Sequence, residues 1–223
     1  MQNCYKTPGN TTDLDDFIFQ YLKDIGITNA DDIDRFLYPR LQDLPNPFSF
    51  KGMKEASSVI CDWIEKGGNI IIWGDYDVDG ITGTTILYRF LTSIHNNISY
   101  HIPNRLTDGY GLNLGRIKEL LVDKTPEQTL VVTVDCGISN YDEVKYLREL
   151  GCQVVITDHH EPGESLPPTN FIINCKQSGC EFRKHDLSGV GTVFFLLIAL
   201  RKKLKERGDN LFLPQNVNLK HFL

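Results

Sequence analysis

The chain has 223 residues and a mass of 25.4 kDa, which is the size of one large domain or of one domain with a short helical extension. Its hydrophobic fraction of 41% and charged fraction of 23% are ordinary for a globular protein, and they exclude a disordered or collagen-like chain. The formal net charge of −6 argues against a nucleic-acid partner at the scale of the whole chain, because phosphates are neutralised by Lys and Arg.

The first 50 residues differ in pattern from the rest of the chain. Apolar residues recur three to four positions apart over 14–22 and again over 33–37, which predicts two short amphipathic helices. Three prolines within 39–47 prevent a continuation of the second helix. We therefore expect a helical lead-in over residues 1–50 and a main domain over residues 51–223.

From about residue 51 onward, predicted strands and helices alternate. A continuous run of β-branched residues predicts a buried strand over 69–73. Further strands are predicted over 98–102, 129–134, 153–157 and 171–173. The segments around them predict helices over 54–66, 84–93, 114–122, 140–150 and 192–207. Strands that alternate with helices of this length imply right-handed βαβ units. The predicted fold class is therefore α/β, an open and mostly parallel sheet of about five strands with helices on both faces.

No segment of the sequence indicates a membrane or a secretory route. The longest apolar run, 193–200, is shorter than the ~18 residues that span a bilayer, and the N-terminus lacks the apolar core of a signal peptide. The cysteines contain no C-x-x-C pair, so we expect reduced thiols rather than a disulfide or zinc framework. They are Cys4, Cys61, Cys136, Cys152, Cys175 and Cys180. These features predict a cytoplasmic protein with no membrane partner.

Three carboxylates at a spacing of two residues follow the first predicted strand. Asp75, Asp77 and Asp79 would repel one another if they were desolvated without a cation. Asp is a hard oxygen ligand that suits Mg(II) and Mn(II), and Gly80 lets the backbone turn beside an ion. The motif by itself also fits a solvated acidic turn. A calcium loop fits less well, because its twelfth position is Ile86, where an EF-hand needs a glutamate.

Two further strand ends carry residues of metal-ligand type. Asp135 follows the third predicted strand and could alone be an ordinary helix N-cap, whereas Asp158, His159 and His160 follow the fourth. In open α/β sheets, ligands bind at the carboxyl ends of the strands where the strand order reverses, so we expect these side chains in one crevice. Imidazole among carboxylates favours Mn(II) or another first-row metal over Mg(II) alone, and several carboxylates could bridge two ions.

These strand ends resemble the first three motifs of the DHH phosphoesterase family. Within the family, the chain is similar to the RecJ-type members, which are 5′→3′ exonucleases specific for single-stranded DNA. The motifs are Gly74-Asp75-Tyr76-Asp77-Val78-Asp79-Gly80, Val134-Asp135-Cys136-Gly137 and Asp158-His159-His160. Segments 36–48, 103–112 and 187–191 also resemble the RecJ type, so the likeness runs from about residue 30 to residue 223.

The resemblance implies a two-metal phosphodiesterase that uses Mn(II) or Mg(II). It assigns Asp77 to one ion, Asp79 to the other, and Asp135 to a bridge between them. His159 would complete the second site, and Asp75 would lie in the first ligand set or at its edge. The implied chemistry is two-metal hydrolysis, in which water is activated near neutral pH and charge on the attacking and leaving oxygens is stabilised.

The same resemblance implies roles for residues around the metals. Asp158 and His160 would orient ligands or meet the scissile phosphate. Arg105 would contact phosphate as a bidentate donor, although a surface arginine that caps the next turn also fits the sequence. The backbone N–H groups of Gly189 and Gly191 would donate to phosphate at a helix N-terminus, although glycines also occur where a helix packs closely on a strand.

The implied partner is single-stranded DNA, in DNA repair and recombination, with a helicase or a single-strand-binding protein as a further candidate. Two departures from the family pattern qualify this expectation. Cys175 follows Asn174 where relatives carry proline, which predicts an altered turn. The sequence ends at Leu223, before the family's fourth motif with its metal-ligating Asp, so we expect an incomplete DHH domain with impaired exonuclease activity.

Two other functions fit the same motifs. The fold and the metals would also suit a phosphoesterase that acts on dinucleotides, short oligonucleotides or phosphoadenosine phosphate. A non-catalytic scaffold with the DHH fold would suit the absence of a fourth motif. It gives no reason, however, to keep several unneutralised carboxylates together.

Overall fold

A computed structural model describes residues 4–7, 10–13, 16–182, 186–208 and 219. The chain divides into two compact units, Met1–Pro45 and Asn46–Leu223. The division lies at Pro45 rather than at the predicted residue 50. The reason is that the 3₁₀ turn Pro47–Ser49 packs on the last helix of the second unit and so belongs to that unit.

The first unit contains two short strands and two helices. Its elements are β1 (Cys4–Thr7), β2 (Asn10–Asp13), α1 (Asp16–Asp24) and α2 (Ala30–Leu37), followed by a 3₁₀ turn at Leu41–Asp43. The strands pair antiparallel, and the apolar pattern does not predict them. The helices lie where the periodicity places them. Asn29 caps α2, because its side chain accepts the backbone N–H of Asp32 at 2.8 Å.

The second unit is built on a sheet of five parallel strands. They are β3 (Asn69–Gly74), β4 (Ile98–His101), β5 (Thr129–Val134), β6 (Gln153–Thr157) and β7 (Ile172–Ile173). Their order is β4-β3-β5-β6-β7, so the chain moves outward in one direction after β3 and in the other after β5. The strand order therefore reverses between β3 and β5, which is where open α/β sheets bind ligands. The sheet confirms the predicted fold class.

Helices cover both faces of this sheet. They are α3 (Met53–Glu65), α4 (Val78–Thr92), α5 (Leu114–Leu121), α6 (Tyr141–Glu149) and α7 (Gly189–Glu206), with a 3₁₀ turn at Pro126–Gln128. Ile70 and Ile72 of β3 share one core with α3, α4 and α7, whereas Ile71 and Trp73 share the other with α5 and α6. Because both faces of β3, β5 and β6 are buried, these inner strands are apolar at successive positions, unlike the edge strand β4.

The helix after β3 begins earlier than the sequence predicts. It starts at Val78 rather than at Thr84, because the side chain of Asp77 caps it by accepting the N–H of Gly80 at 2.9 Å. Asp79 consequently lies in the first turn of α4, next to the carboxyl end of β3. Within the described residues, no helix has both the length and the apolar character that crossing a bilayer requires.

Candidate metal centre

The aspartates at the strand ends extend the hydrogen-bond ladder of the sheet. The backbone N–H of Asp75 donates to the last carbonyl of β5 at 3.1 Å, and that of Asp135 donates to the last carbonyl of β6 at 2.9 Å. Asp158 donates in the same way to the last residue of β7, at 3.0 Å. The ladder therefore holds the three residues side by side at the carboxyl edge, on both sides of the point where strand order reverses.

Asp135 is a buried carboxylate without a hydrogen-bond donor. The residue is 1% exposed, and neither of its side-chain oxygens has a hydrogen-bond partner in the described part of the chain. Burial, followed by the negative charges of Asp79 and Asp77, raises the pKa of Asp135 to about 8. Buried charged groups are normally paired or bound to a metal. Asp135 is therefore the position at which this crevice most needs a positive charge.

The turn after β5 holds Asp135 in an uncommon backbone conformation. Its φ is 61°, in the left-handed region that non-glycine residues seldom adopt. Gly137, with a φ of 107°, continues the turn, and the hydroxyl of Thr133 donates to the carbonyl of Cys136 at 2.7 Å. Such conformations persist where the surrounding structure imposes them, and they cluster at functional sites.

Two groups of potential ligands share Asp135. The first group consists of one carboxylate oxygen each from Asp75, Asp77 and Asp135, and these oxygens lie within 4.8 Å of one another. The second group consists of one ligand atom each from Asp135, His159 and His160, and these atoms also lie within 4.8 Å of one another. Burial raises the pKa of Asp75, so this carboxyl also gains from a nearby cation. A carboxylate common to an oxygen-rich group and an imidazole-rich group has the placement of a ligand that bridges two ions.

Asp79 is oriented differently from the other predicted ligands. Its Oδ2 accepts the backbone N–H of Gly189 at 2.6 Å, and its Oδ1 accepts that of Val190 at 2.8 Å. His159 Nε2 lies 3.9 Å from Oδ2. Asp79 belongs to neither group of potential ligands within the described residues. Its role as a metal ligand stays a prediction, and in this structure its carboxylate is bound to the start of α7.

Asp158 is enclosed by donors from its own surroundings. It is fully buried, and its Oδ2 accepts the backbone N–H of Ile138 at 2.9 Å. Its Oδ1 accepts the backbone N–H groups of His159 and His160 at 2.7 and 3.1 Å, and it lies 2.7 Å from His160 Nδ1. These contacts do not fit the expectation that Asp158 meets the scissile phosphate, because both oxygens are occupied. They fit its alternative role, which is to orient ligands.

His160 gains its orientation from this carboxylate. The hydrogen bond with Asp158 is the main cause that raises the pKa of His160, against the opposing effect of burial. The hydroxyl of Tyr110 lies 3.2 Å from the same Nδ1. With Nδ1 directed to Asp158, Nε2 is the nitrogen left for a substrate or an ion. The predicted role of His160 therefore remains compatible with its position.

Arg105 lies on an aromatic rim next to the acidic crevice. Its guanidinium carbon is 5.6 Å from the ring centre of Tyr76, the residue that follows Asp75. The rings of Tyr76 and Tyr110 meet edge to face, with centres 6.4 Å apart, and Tyr110 in turn contacts His160. The structure thus places Arg105 near the site, as the sequence predicts, while its contact with phosphate stays a prediction.

The backbone N–H groups of the two predicted phosphate-binding glycines have partners inside the protein. Helix α7 begins at Gly189 rather than at the predicted Thr192, because the side chain of Ser188 caps it and accepts the N–H of Gly191 at 3.2 Å. The N–H of Gly189 is bound to Asp79. The expectation that these two N–H groups donate to phosphate is therefore corrected, since both already donate to side chains.

Sequence reasoning assigned no role to Tyr76 or Tyr110, although both lie within the quoted motifs. The loop that carries Tyr110 is held in place by Asp108, which accepts the N–H of Asn104 at 2.9 Å and the Nε–H of Arg116 at 3.0 Å. The carbonyl of Gly111 also accepts the indole N–H of Trp73 on β3, at 3.1 Å. The sequence signal that could have identified them is the presence of two tyrosines in motifs that also contain, or lie close to, the predicted phosphate-binding arginine.

The family model for the N-terminal domain of the DHH family matches residues 69–217. The chain belongs to the DHH family. In this DHH chain, the match begins at β3 and takes in every residue of the candidate metal centre. The predicted resemblance is thereby confirmed at the level of the family.

Among curated proteins, the DHH chain is similar to RecJ exonucleases. It is 39% identical over 181 residues to the single-stranded-DNA-specific exonuclease RecJ of Bacillus subtilis strain 168, covering 81% of this chain and 23% of that protein. It is 36% identical over 187 residues to the RecJ of Escherichia coli strain K12, covering 82% and 31%. The chain therefore spans about a quarter to a third of the length of these two relatives.

Two solved structures of RecJ resemble the DHH chain in fold. The crystal structure of exonuclease RecJ bound to manganese matches with a TM-score of 0.63 and 38% identity, over 72% of this chain and 39% of that one. RecJ of Thermus thermophilus in complex with Mn²⁺ matches with a TM-score of 0.65 and 32% identity, over 82% and 24%. The RecJ-type resemblance read from the motifs is thus confirmed by sequence and by fold.

Proposed function

We propose that this chain is the DHH portion of a metal-dependent phosphodiesterase, a RecJ-type 5′→3′ exonuclease that degrades single-stranded DNA. The observation that carries the proposal is the buried, donor-free carboxylate of Asp135, which is shared by two groups of potential metal ligands. The similarity to RecJ exonucleases supports the choice of single-stranded DNA as substrate. The 5′→3′ polarity rests on the resemblance of the motifs alone.

The residues present fit a pair of divalent cations. Asp75, Asp77 and Asp135 would hold one ion, and Asp135 with His159 would hold the other, with Asp79 as the further predicted ligand. Carboxylate oxygens suit Mg(II) and Mn(II) alike, whereas an imidazole nitrogen in the set favours Mn(II). The raised pKa of Asp135 supports the same conclusion, because a cation would allow this carboxyl to ionise inside the crevice.

When bound, such ions activate water near neutral pH and neutralise charge on the phosphate oxygens. The chain itself supplies orientation and proton control. Asp158 fixes the turn that carries His159 and holds Nδ1 of His160, which leaves His160 Nε2 to act on a substrate oxygen. Arg105 offers a guanidinium for the phosphate backbone. The rings of Tyr76 and Tyr110 offer surfaces on which unpaired bases stack.

The acidic balance of the chain is compatible with this substrate. The net charge of −6 includes the carboxylates of the crevice, and two divalent ions would return four positive charges to it. Association with nucleic acid depends on the local potential around the site rather than on the charge of the whole chain. The global charge is therefore the wrong scale on which to exclude a phosphate substrate.

The cellular setting is part of the same proposal. We place the protein in the cytoplasm, in DNA repair and recombination, with a helicase or a single-strand-binding protein as a partner. The similarity to RecJ supports the pathway. Free, buried thiols support a reducing compartment. The described residues include five of them, namely Cys61, Cys136, Cys152, Cys175 and Cys180.

The test combines metal binding with substrate choice. Mn(II) is titrated against the wild-type chain and against Asp135→Asn, and hydrolysis is then measured on 5′-phosphorylated single strands, on duplex DNA and on dinucleotides. We expect about two ions per wild-type chain, loss of binding in the variant, and weak hydrolysis of single strands in preference to duplex. Equal Mn(II) binding by both proteins would refute the site. Turnover of dinucleotides alone would favour the short-oligonucleotide phosphoesterase.

A further inference from the structure

The N-terminus of α7 lies directly against two carboxylates of the candidate metal centre. The N–H groups of Gly189 and Val190 each donate to one oxygen of Asp79, at 2.6 and 2.8 Å. Amide groups in the first turn of a helix have no partner within the helix, and the helix dipole favours a negative charge at this end. Both oxygens of Asp79 are therefore bound to a helix that begins 110 positions later in the sequence.

Gly189 also packs against the second carboxylate. A Cβ on Gly189 would collide with Oδ1, Cγ and Cβ of Asp135, which leaves no space for any side chain at this position. The other glycine of the same turn differs, because a Cβ on Gly191 would lie 3.4 Å from the nearest atom, Cβ of Leu187, which is an ordinary contact. The two glycines of the Gly-Val-Gly sequence thus have different structural roles.

We propose that Gly189 is a positioning residue of the metal centre. Its N–H fixes the carboxylate of Asp79, and its missing side chain allows the carboxylate of Asp135 to occupy the space beside α7. Gly189 thereby sets the distance between two carboxylates that face the same crevice, without touching the substrate. This inference rests on the proposed function, since it concerns how the predicted ligands are arranged for metal binding.

Two alanine variants separate this role from a general effect on the helix. Alanine is a better helix former than glycine, so Gly189→Ala and Gly191→Ala both favour α7 on propensity alone. Only Gly189→Ala forces Asp135 or the start of α7 to move. We expect the Mn(II) affinity to fall at least tenfold in Gly189→Ala and to stay within about twofold of wild type in Gly191→Ala, as for other outer-shell partners of metal ligands. Electron paramagnetic resonance of free Mn(II) measures both values.

A second measurement keeps the proposal testable if Gly189→Ala does not fold. Amide hydrogen exchange is followed by NMR in the metal-free wild-type chain and in Asp79→Ala. We expect the amides of Gly189 and Val190 to exchange at least tenfold faster in the variant, while that of Gly191, which donates to Ser188, keeps its rate.

The possible outcomes separate this role from the proposed function. A folded Gly189→Ala protein that binds Mn(II) within twofold of wild type would overturn the positioning role. Unchanged exchange of the Gly189 and Val190 amides in Asp79→Ala would overturn it as well. A wild-type chain that binds no Mn(II) would refute the proposed function instead, and the exchange rates would then still decide whether Gly189 fixes Asp79.

Discussion

His159 Nε2 lies 3.2 Å from Oδ1 of Asp135. This approach does not have the geometry of a hydrogen bond, so neither oxygen of the buried carboxylate accepts one among the residues described. An imidazole and a carboxylate at this distance, at the tips of the adjacent strands β6 and β5, form a pair that a first-row metal ion can bridge. The pair combines the second and third motifs of the family in one contact.

Mn(II) should therefore stabilise the folded chain through Asp135. At a free concentration of about 100 times Kd, a ligand specific for the folded state adds about 2.7 kcal/mol, which corresponds to a rise in Tm of about 5–10 °C for a chain of this size. Asp135→Asn should abolish the rise, whereas Asp123→Asn, at an exposed position, should keep it. Thermal unfolding followed by circular dichroism, with EDTA and with Mn(II), measures the shift. The same rise in the Asp135 variant would contradict the assignment.

The raised pKa of Asp135 predicts a pH dependence of stability in the absence of metal. The folded pKa is about 8 and the unfolded value is near 3.8, so between these pH values the folded chain binds more protons than the unfolded chain. The free energy of unfolding should then fall as pH rises from 4 to 8, by up to about 1.4 kcal/mol per pH unit for this single group. Other groups contribute their own pH dependence, so the comparison with a matched variant isolates the effect.

Asp135→Asn provides that comparison, because Asn does not titrate and tolerates a positive φ. Urea unfolding in EDTA should show the variant gaining stability relative to wild type as pH rises from 5 to 8. A difference between the two proteins that stays constant over this range would mean that Asp135 is ionised throughout in the folded chain.

Replacing Asp158 with Asn should lower the stability of the fold and also change the titration of His160. Asp158→Asn leaves at least one of its buried N–H donors unpartnered, and each such group costs about 1–3 kcal/mol. The pKa of His160 should also fall, because the hydrogen bond that raises it is weakened. NMR titration of the imidazole and urea unfolding measure the two effects, with Asp123→Asn as the control. An unchanged His160 titration would show that Asp158 does not orient this ring.

The carboxylates at the strand ends were predictable because the sequence pattern that identifies them lies within a few neighbouring positions. Asp75, Asp135 and Asp158 directly follow β3, β5 and β6, and the parallel sheet brings such positions to one edge. The role of Asp158 was not predictable in the same way. Its Oδ2 accepts the N–H of Ile138, and which of its neighbours donate to it depends on the turn geometry at two strand ends.

Longer-range contacts limited the prediction further. Asp79 and Gly189 are distant in sequence, and only the packing of α7 against α4 shows that the glycine N–H is bound to the aspartate. Likewise, the hairpin of β1 and β2 has few apolar residues, so its pairing leaves little trace in the hydropathy pattern. The sequence therefore identifies which residues face the crevice better than it identifies what each of them contacts.

The backbone conformation of Gly137 indicates that the turn that carries Asp135 requires glycine at this position. Its φ of 107° is strained for other residues, and a Cβ would lie 2.7 Å from the hydroxyl oxygen of Thr133. Gly137→Ala should lower the free energy of unfolding by about 1–3 kcal/mol. Gly163→Ala, where a Cβ meets no atom and φ is not positive, should change it by less than about 1 kcal/mol. Equal unfolding midpoints in urea for the two variants would contradict the requirement.

Arg105 gives the prediction that bears most directly on nucleic acid. Its guanidinium lies over Tyr76 beside the crevice, and a charged hydrogen bond to phosphate is worth about 1.5–3 kcal/mol. Arg105→Ala should weaken the binding of a phosphorothioate single strand about tenfold and reduce the slope of log K against log salt by about 0.7, as for the loss of one phosphate contact. Lys118→Ala is the matched control, because Lys118 makes a similar contact, 5.5 Å from the ring centre of Tyr146, on helices α5 and α6. Fluorescence anisotropy over a range of salt concentrations measures both quantities, and equal losses in the two variants would indicate a non-specific effect of charge.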